Sequence, residues 1–360
     1  MKKHTDDTHV GVSRREMLKK SGMGLAALAL GGVLKRPAQQ ALDSFLNPAP
    51  VQAATFIKGA DASWLAQMEA TGFTFFNNSG VQQDCLTILK SFGINAIRLR
   101  TWVNPSNDPV NGHCSIDETA ALAVRCKNAG LSVMIDFHFG DTWNSVGVQN
   151  PPAAWATQTY TQLLTTMSNY VFHSMNVLKF FHVTPAWVQI GNEINSGICH
   201  PVGSISNPSQ MTGLLNTAYN EVKAVFPSTP VLVHLAQPQN LANIENFFDR
   251  YEANGGKWDI TAFSSYGSGT AIPGIIGNMA TVKSRYGKPV IQVEFGGRED
   301  RASRTETDME SYIAGLKSFG GLGLFYWEPE VYSPFSSYGM GAWDPTTRAP
   351  TAALQGFLNA

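Results

Sequence analysis

Trp187-Val-Gln-Ile-Gly-Asn-Glu193 reads as a short buried strand that closes on an ionisable carboxylate, and Pro289-Val-Ile-Gln-Val-Glu294 repeats the pattern about one hundred residues later. Runs of the same kind extend in both directions. They are Phe56-Ile-Lys-Gly-Ala-Asp61, Ala96-Ile-Arg-Leu-Arg100, Ser132-Val-Met-Ile-Asp-Phe137, Trp187-Val-Gln-Ile190, Pro230-Val-Leu-Val-His-Leu235, Ile260-Thr-Ala-Phe-Ser264, Pro289-Val-Ile-Gln-Val293 and Gly323-Leu-Phe-Tyr326. Helix-period segments lie between them, such as Cys85 to Phe92 before Gly93 and Ala120 to Lys127 before Gly130, each followed by the glycine that commonly stops a helix. Strict alternation of strand and helix predicts an α/β fold with a parallel sheet. Eight units favour a single (β/α)8 TIM barrel over an open sheet, and Thr351 to Ala360 reads as a closing helix.

Residues 1 to 53 read as a targeting peptide outside that fold. Ser13-Arg-Arg-Glu-Met-Leu-Lys19 is a twin-arginine pattern, Ser21 to Leu34 is uncharged and mostly apolar, and Val51-Gln-Ala53 offers a small-residue cleavage site. The apolar stretch is too short to span a bilayer, so export without stable membrane insertion is expected. Removing this segment takes eight basic and four acidic side chains from totals of 26 and 27, leaving 18 against 23 and a net charge of −5 on residues 54–360. That balance leaves no footprint for nucleic acid. The four cysteines, Cys85, Cys114, Cys126 and Cys199, have no metal-ligand spacing and are too few for a disulfide scaffold. They are open to one or two bridges or to burial as small apolar groups. No metal and no cofactor is expected, and the chain is expected to act as a monomer.

Alternation within the strands sorts the chemistry. Arg98, Arg100 and Trp102 share one parity against Ile97 and Leu99, while Asp136 and His138 share one against Ile135 and Phe137. In a barrel the C-terminal strand ends carry the reacting groups, and here they collect Asp61, Arg98, Arg100, Asp136, His138, Asn192, Glu193, His234, Tyr266, Glu294, Trp327 and Glu328. Glu328 follows Trp327 with the opposite parity and reads as a loop or packing residue. Two carboxyl groups facing one pocket, Glu193 and Glu294, are the minimal equipment for cleaving a glycosidic bond.

These residues resemble glycoside hydrolase family 53, the arabinogalactan endo-β-1,4-galactanases. The resemblance runs along nearly all of residues 54–360: Lys58-Gly-Ala-Asp-Ala-Ser-Trp64, Asn95-Ala-Ile-Arg-Leu-Arg-Thr-Trp-Val-Asn-Pro105, Met134-Ile-Asp-Phe-His138 with Asp141-Thr-Trp143, Val188-Gln-Ile-Gly-Asn-Glu-Ile-Asn-Ser-Gly197, and Gly321-Leu-Gly-Leu-Phe-Tyr-Trp-Glu-Pro329. It implies a retaining barrel enzyme acting on galactan or arabinogalactan, with Glu193 as acid/base and Glu294 as nucleophile. It further implies that Asn192 binds the sugar 2-hydroxyl, that Arg98 and Arg100 keep Glu294 ionised, and that Tyr266 donates to Glu294. Trp143 and Trp327 would be platforms for pyranose faces. Asp136, His138, Asp141 and His234 would line the substrate site.

Two stretches depart from the family pattern. The fifth strand continues His234-Leu-Ala-Gln-Pro-Gln239 in place of His-Leu-Asp-(Asp/Asn)-Gly, and the sixth continues Ser264-Ser-Tyr-Gly-Ser-Gly269 in place of Ser-Tyr-Tyr-Pro. Cleft loops set substrate choice on a barrel, so a related β-glycanase or β-galactosidase is the nearest rival. A non-catalytic sugar-binding barrel has no use for an acid paired with a nucleophile. A Schiff-base barrel needs a strand-end lysine, and Lys58 lies too early in its run.

Overall fold

The computed structural model describes residues 56–360, so residues 1–53, expected to be a targeting peptide, lie outside the described residues. All eight expected runs form strands: β1 Ile57–Asp61, β2 Ala96–Thr101, β3 Ser132–Phe137, β4 Trp187–Ile190, β5 Val231–Ala236, β6 Ile260–Ser264, β7 Val290–Phe295 and β8 Gly323–Trp327. They close into one parallel barrel in which β1 pairs with both β2 and β8. Helices occupy the crossovers, and their ends follow local chemistry. Helix Ile116–Asn128 starts on a Ser115/Glu118 capping box, and helix Tyr160–Phe180 on a Thr159/Gln162 one. Gly93 and Gly130 follow their helices with φ of 80° and 75°, a conformation that costs glycine least. The expected closing helix is a 3₁₀ turn, Ala352–Gln355, followed by a single α turn, Gly356–Asn359.

Strand parity divides the core into two layers. Ile97, Leu99, Val133, Ile135 and Phe137 face outward into the large cluster shared with the helices. Inside the barrel Ile57, Ala96, Met134, Trp187, Leu232, Ile260, Ile291 and Phe325 form a separate apolar plug. Above that plug, toward the C-terminal strand ends, the same inward positions turn polar: Asp61, Arg98, Arg100, Asp136, Gln189 and His234 are all buried. The four cysteines are buried and unbridged, which makes them small core groups.

One strand breaks the alternation. Opposite β6 the register of β7 jumps from Phe263↔Gln292 to Ser264↔Glu294, and opposite β8 from Leu324↔Gln292 to Tyr326↔Phe295. The extra residue is a bulge, a device that re-aims the side chains after it. Val293 stays in the inner plug with Ile291, and Glu294 nonetheless reaches the polar groups at the barrel mouth. Unbroken alternation would have put these two neighbours on opposite faces.

The plug is tight where β1 meets β8. Gly59 stands beside Phe325 in register, and a Cβ on Gly59 would lie 2.2 Å from the Phe325 ring. Gly59→Ala is therefore expected to destabilise the barrel by about 1–3 kcal/mol through overpacking, seen as a lowered Tm by calorimetry. An unchanged Tm would mean that Phe325 yields without cost.

Candidate active site

Arg98 of β2 is fully buried and organises the mouth of the barrel. Its Nη1 lies 2.7 Å from Asp61 Oδ2 on β1 and 3.0 Å from Glu294 Oε1 on β7. Nη2 reaches Asp136 Oδ2 on β3 at 2.8 Å and Asn192 Oδ1 at 2.9 Å, while Nε donates to Gln189 Oε1 on β4 at 3.1 Å. Three of these contacts, to Gln189, Asp61 and Asn192, are hydrogen bonds, and those to Asp136 and Glu294 are ion pairs. Asp136 would be raised by burial, but Arg98 and His138 outweigh it and hold the carboxyl below its usual range.

Glu294 is 5% exposed. Its Oε2 accepts from the Tyr266 hydroxyl at 2.9 Å, so both oxygens are engaged. Burial pushes the Glu294 carboxyl up to about 8; Arg98 opposes the rise, and the charge of Glu193 adds to it. Of the two arginines expected to keep Glu294 ionised, Arg98 touches it and acts in that direction against burial, while Arg100 does not reach it. Arg98 is shared among three carboxylates, and Arg100 is paired elsewhere.

Glu193 sits three residues beyond the end of β4, at the close of a left-handed turn: Gly191 has φ of 97° and Glu193 itself φ of 48°. For a residue with a side chain that conformation is strained, and the surroundings hold it in place. Gln149 Nε2 donates to the Asn192 and Glu193 carbonyls at 2.8 and 3.2 Å, and the Glu193 N–H donates to His234 Nδ1 at 3.3 Å. The Glu193 carboxylate accepts from the Ser264 hydroxyl at 2.6 Å on Oε1 and from the Val146 N–H at 3.3 Å on Oε2. Ser264 is also the register partner of Glu294, so one residue of β6 adjoins both carboxyl-bearing positions.

The remaining expected site residues divide into two groups. Asn192, Asp136, His138, His234 and Tyr266 join the Arg98 cluster. His138 Nε2 lies 3.0 Å from Asp136 Oδ2, and the Asn144 N–H is aimed at its Nδ1 at 3.4 Å, an arrangement that puts the imidazole proton on Nε2. Burial, reinforced by Arg98, pushes His234 well below its usual range, so it is a neutral ring. Asn192 already donates from its amide to the Asn144 carbonyl at 2.9 Å. Asp141 stands apart: its two oxygens accept from the N–H groups of Asn104 and Ala153 at 2.9 and 2.8 Å, which braces the loop after β3.

Arg100 belongs to a second assembly. Its Nη1 pairs with Glu328, whose other oxygen accepts from the Trp64 N–H at 3.1 Å. Trp64, Trp102 and Trp143 surround its guanidinium, with centroids 5.0, 5.2 and 4.5 Å away. Trp327 joins edge-on, 5.3 Å from Trp64, 5.8 Å from Trp143 and 4.6 Å from Tyr338. Glu328 is therefore a buried ion-pair partner and more than a packing residue. Its neighbour Glu330 is pushed well above the usual range by burial and by the Glu328 charge.

Sequence reasoning missed Ser264, Gln189, Gln149, Asn144 and Val146. Gln189 shares the inward parity of Trp187, a signal that was available; a backbone donor such as Val146 leaves none.

Known proteins bear on this geometry. Residues 57–313 match Glycosyl hydrolase family 53. A probable arabinogalactan endo-β-1,4-galactanase A of Aspergillus fumigatus is 30% identical over 300 residues, covering 76% of this chain and 83% of its own length. The catalytic domain of a family 53 enzyme from Ignisphaera aggregans superposes with a TM-score of 0.79 at 28% identity, covering 86% of this chain and 98% of its own. A structure from a study of two fungal β-1,4-galactanases shares the fold with a TM-score of 0.78 at 24% identity, over 85% of this chain and all of its own. The chain belongs to glycosyl hydrolase family 53 and is a glycoside hydrolase.

Proposed function

We propose that this enzyme cleaves β-1,4-galactosidic bonds of galactan or arabinogalactan with net retention, using Glu193 as acid/base and Glu294 as nucleophile. The supporting observation is the pair itself: two electrostatically coupled carboxyls, one just beyond β4 and one near the end of β7, with Ser264 donating to Glu193 from a position in register with Glu294. In the first step a Glu294 oxygen attacks the anomeric carbon while Glu193 gives its proton to the departing oxygen. In the second, Glu193 takes a proton from water, the water oxygen bonds the anomeric carbon, and Glu294 leaves with its electron pair. The Ser13–Lys19 twin-arginine pattern supports export of the enzyme.

The pair must hold one proton, and its placement matters. Glu294 is buried and its affinity for the proton is raised, whereas the Glu193 carboxyl accepts from the Ser264 hydroxyl and the Val146 N–H. The productive arrangement for the first step has a proton on Glu193 and a bare carboxylate on Glu294. Apparent values from a pH–rate profile belong to the pair and to neither residue alone.

Reducing-sugar release from linear β-1,4-galactan, arabinogalactan, β-1,3-galactan and β-mannan tests the substrate. Cleavage of the first two is expected, and activity confined to mannan would overturn the reading. Around β6 the corner after Tyr266 differs from the family pattern: Arg304 fills the space where a Gly269 side chain would sit, and Gly269 N–H donates to Asp308 at 2.9 Å.

Glu193→Ala and Glu294→Ala are each expected to lower hydrolysis by several orders of magnitude, with opposite chemical rescue. Azide should convert an activated substrate to the β-glycosyl azide on Glu193→Ala and to the α-product on Glu294→Ala. The converse outcome by proton NMR would exchange the two roles.

The raised Glu294 also fixes a sign for stability. A carboxyl whose folded value, about 8, exceeds its unfolded value of 4.5 stabilises the fold below pH 4.5, and the benefit disappears as pH rises through 8. Glu294→Gln removes that loss. Whatever the loss of the Arg98 contact costs at low pH, the Tm of the variant relative to that of the parent is expected to rise between pH 5 and 8, by on the order of several degrees. A margin that stays constant or shrinks over this interval would contradict the buried, proton-binding carboxyl.

A further inference from the structure

We propose that Ser264 is a positioning residue that holds Glu193 as a carboxylate and so favours the second half-reaction over the first; this rests on the acid/base reading of Glu193. The contact joins two elements that the chain separates widely. The Ser264 hydroxyl donates to Glu193 Oε1 at 2.6 Å, from a strand position whose backbone is in register with Glu294. The Ser264 side chain is buried, as is the position of Glu294 beside it. The other Glu193 oxygen faces the Val146 N–H, which can only donate. That amide sits in a tight turn closed by the Ser145↔Val148 bridge and belongs to the backbone, so it responds to no side-chain substitution.

The two half-reactions ask opposite things of Glu193. To release the leaving sugar it must carry a proton and give it up. To hydrolyse the glycosyl-enzyme it must be a bare carboxylate that accepts a proton from water, while the water oxygen bonds the anomeric carbon and the bond to Glu294 breaks with its electrons returning to Glu294. A hydrogen bond donated to the carboxylate opposes the first demand and supports the second. The hydroxyl is the adjustable member of the pair of donors, because removing it leaves the strand and the Val146 contact in place.

Other charged groups reach the same carboxyls and are unchanged by the substitution. Glu294 faces Glu193 from β7, Arg98 from β2 and Asp136 from β3 lie behind Glu294, and His234 from β5 meets the Glu193 backbone. Tyr266, two residues after Ser264, donates to Glu294 and not to Glu193. The effect of Ser264 is thereby directed to Glu193.

The test uses 2,4-dinitrophenyl β-galactobioside, whose leaving group needs no proton, alongside linear galactan. With the aryl substrate, Ser264→Ala should lower kcat by about ten- to a hundred-fold, the range of one hydrogen bond to a charged group, while KM falls in step and kcat/KM stays within about two-fold. The glycosyl-enzyme should accumulate on intact-mass spectra, and the acidic limb of the kcat–pH profile should move to higher pH. Ser264→Thr, which keeps the hydroxyl, should restore the parent values. If Ser264→Ala instead lowers kcat and kcat/KM together, with no accumulated intermediate and no shift of the limb, the proposal is overturned and Ser264 is only a packing residue. Failure of the underlying reading is distinguishable: Glu193→Ala would then give no β-glycosyl azide, whatever Ser264→Ala does.

Discussion

A single buried guanidinium ties the mouth of this barrel together. Arg98 hydrogen-bonds groups on β1, on β4 and in the turn after β4, and pairs its charge with carboxyls on β3 and β7. An arginine in the inner layer of a barrel is tolerable only when fully partnered, because an unpaired buried charge is far more costly than a paired one. The acceptors are constrained in return: Asp61, Asp136 and Glu294 cannot move apart without stranding charge. Removing one partner of such a cluster typically costs about 3–5 kcal/mol, since the others remain buried. The plug of Ile57, Met134, Leu232 and Phe325 beneath it supplies the apolar floor that keeps water from relieving the constraint.

On that base the two carboxyls are placed by different means. Glu294 is brought inward by the β7 bulge and buried, whereas Glu193 is carried beyond β4 on a left-handed turn and stays partly exposed. The contrast in burial gives the two carboxyls different surroundings, a dry one for Glu294 and a partly solvated one for Glu193. Four non-glycine positions just beyond strand ends, Phe139, Glu193, Gln237 and Glu328, share positive φ. Local strain of this kind persists only where neighbours fix it, and at Glu193 those neighbours are Gln149 and His234.

The barrel was legible because eight apolar runs and their glycine stops are local signals; all eight strands form within a residue or two of where the pattern places them. Strand parity likewise foretold that Arg98, Arg100, Asp136 and His138 would turn inward together. What parity could not carry was the partner of each charge. Arg98 and Arg100 lie two residues apart on one face, yet one faces Glu294 and the other Glu328, with tryptophans packed around Arg100. The β7 bulge is invisible in Val-Ile-Gln-Val-Glu because it arises from pairing with both neighbours. Asp141 resembled its polar neighbours in sequence but is committed to loop amides. Ser264 was in view only as part of an altered motif, since nothing in a serine's identity announces which carboxylate it will meet.

The cysteines carry a consequence of another kind. Cys85, Cys114, Cys126 and Cys199 are all buried thiols with no bond between them, and burial raises the proton affinity of every one. A thiol kept protonated and out of solvent is a poor partner for disulfide exchange. The barrel reaches its packed form with no oxidative step, so reducing and oxidising surroundings leave it with the same covalent structure, and a thiol reagent or a glutathione buffer finds nothing in the folded molecule to act on.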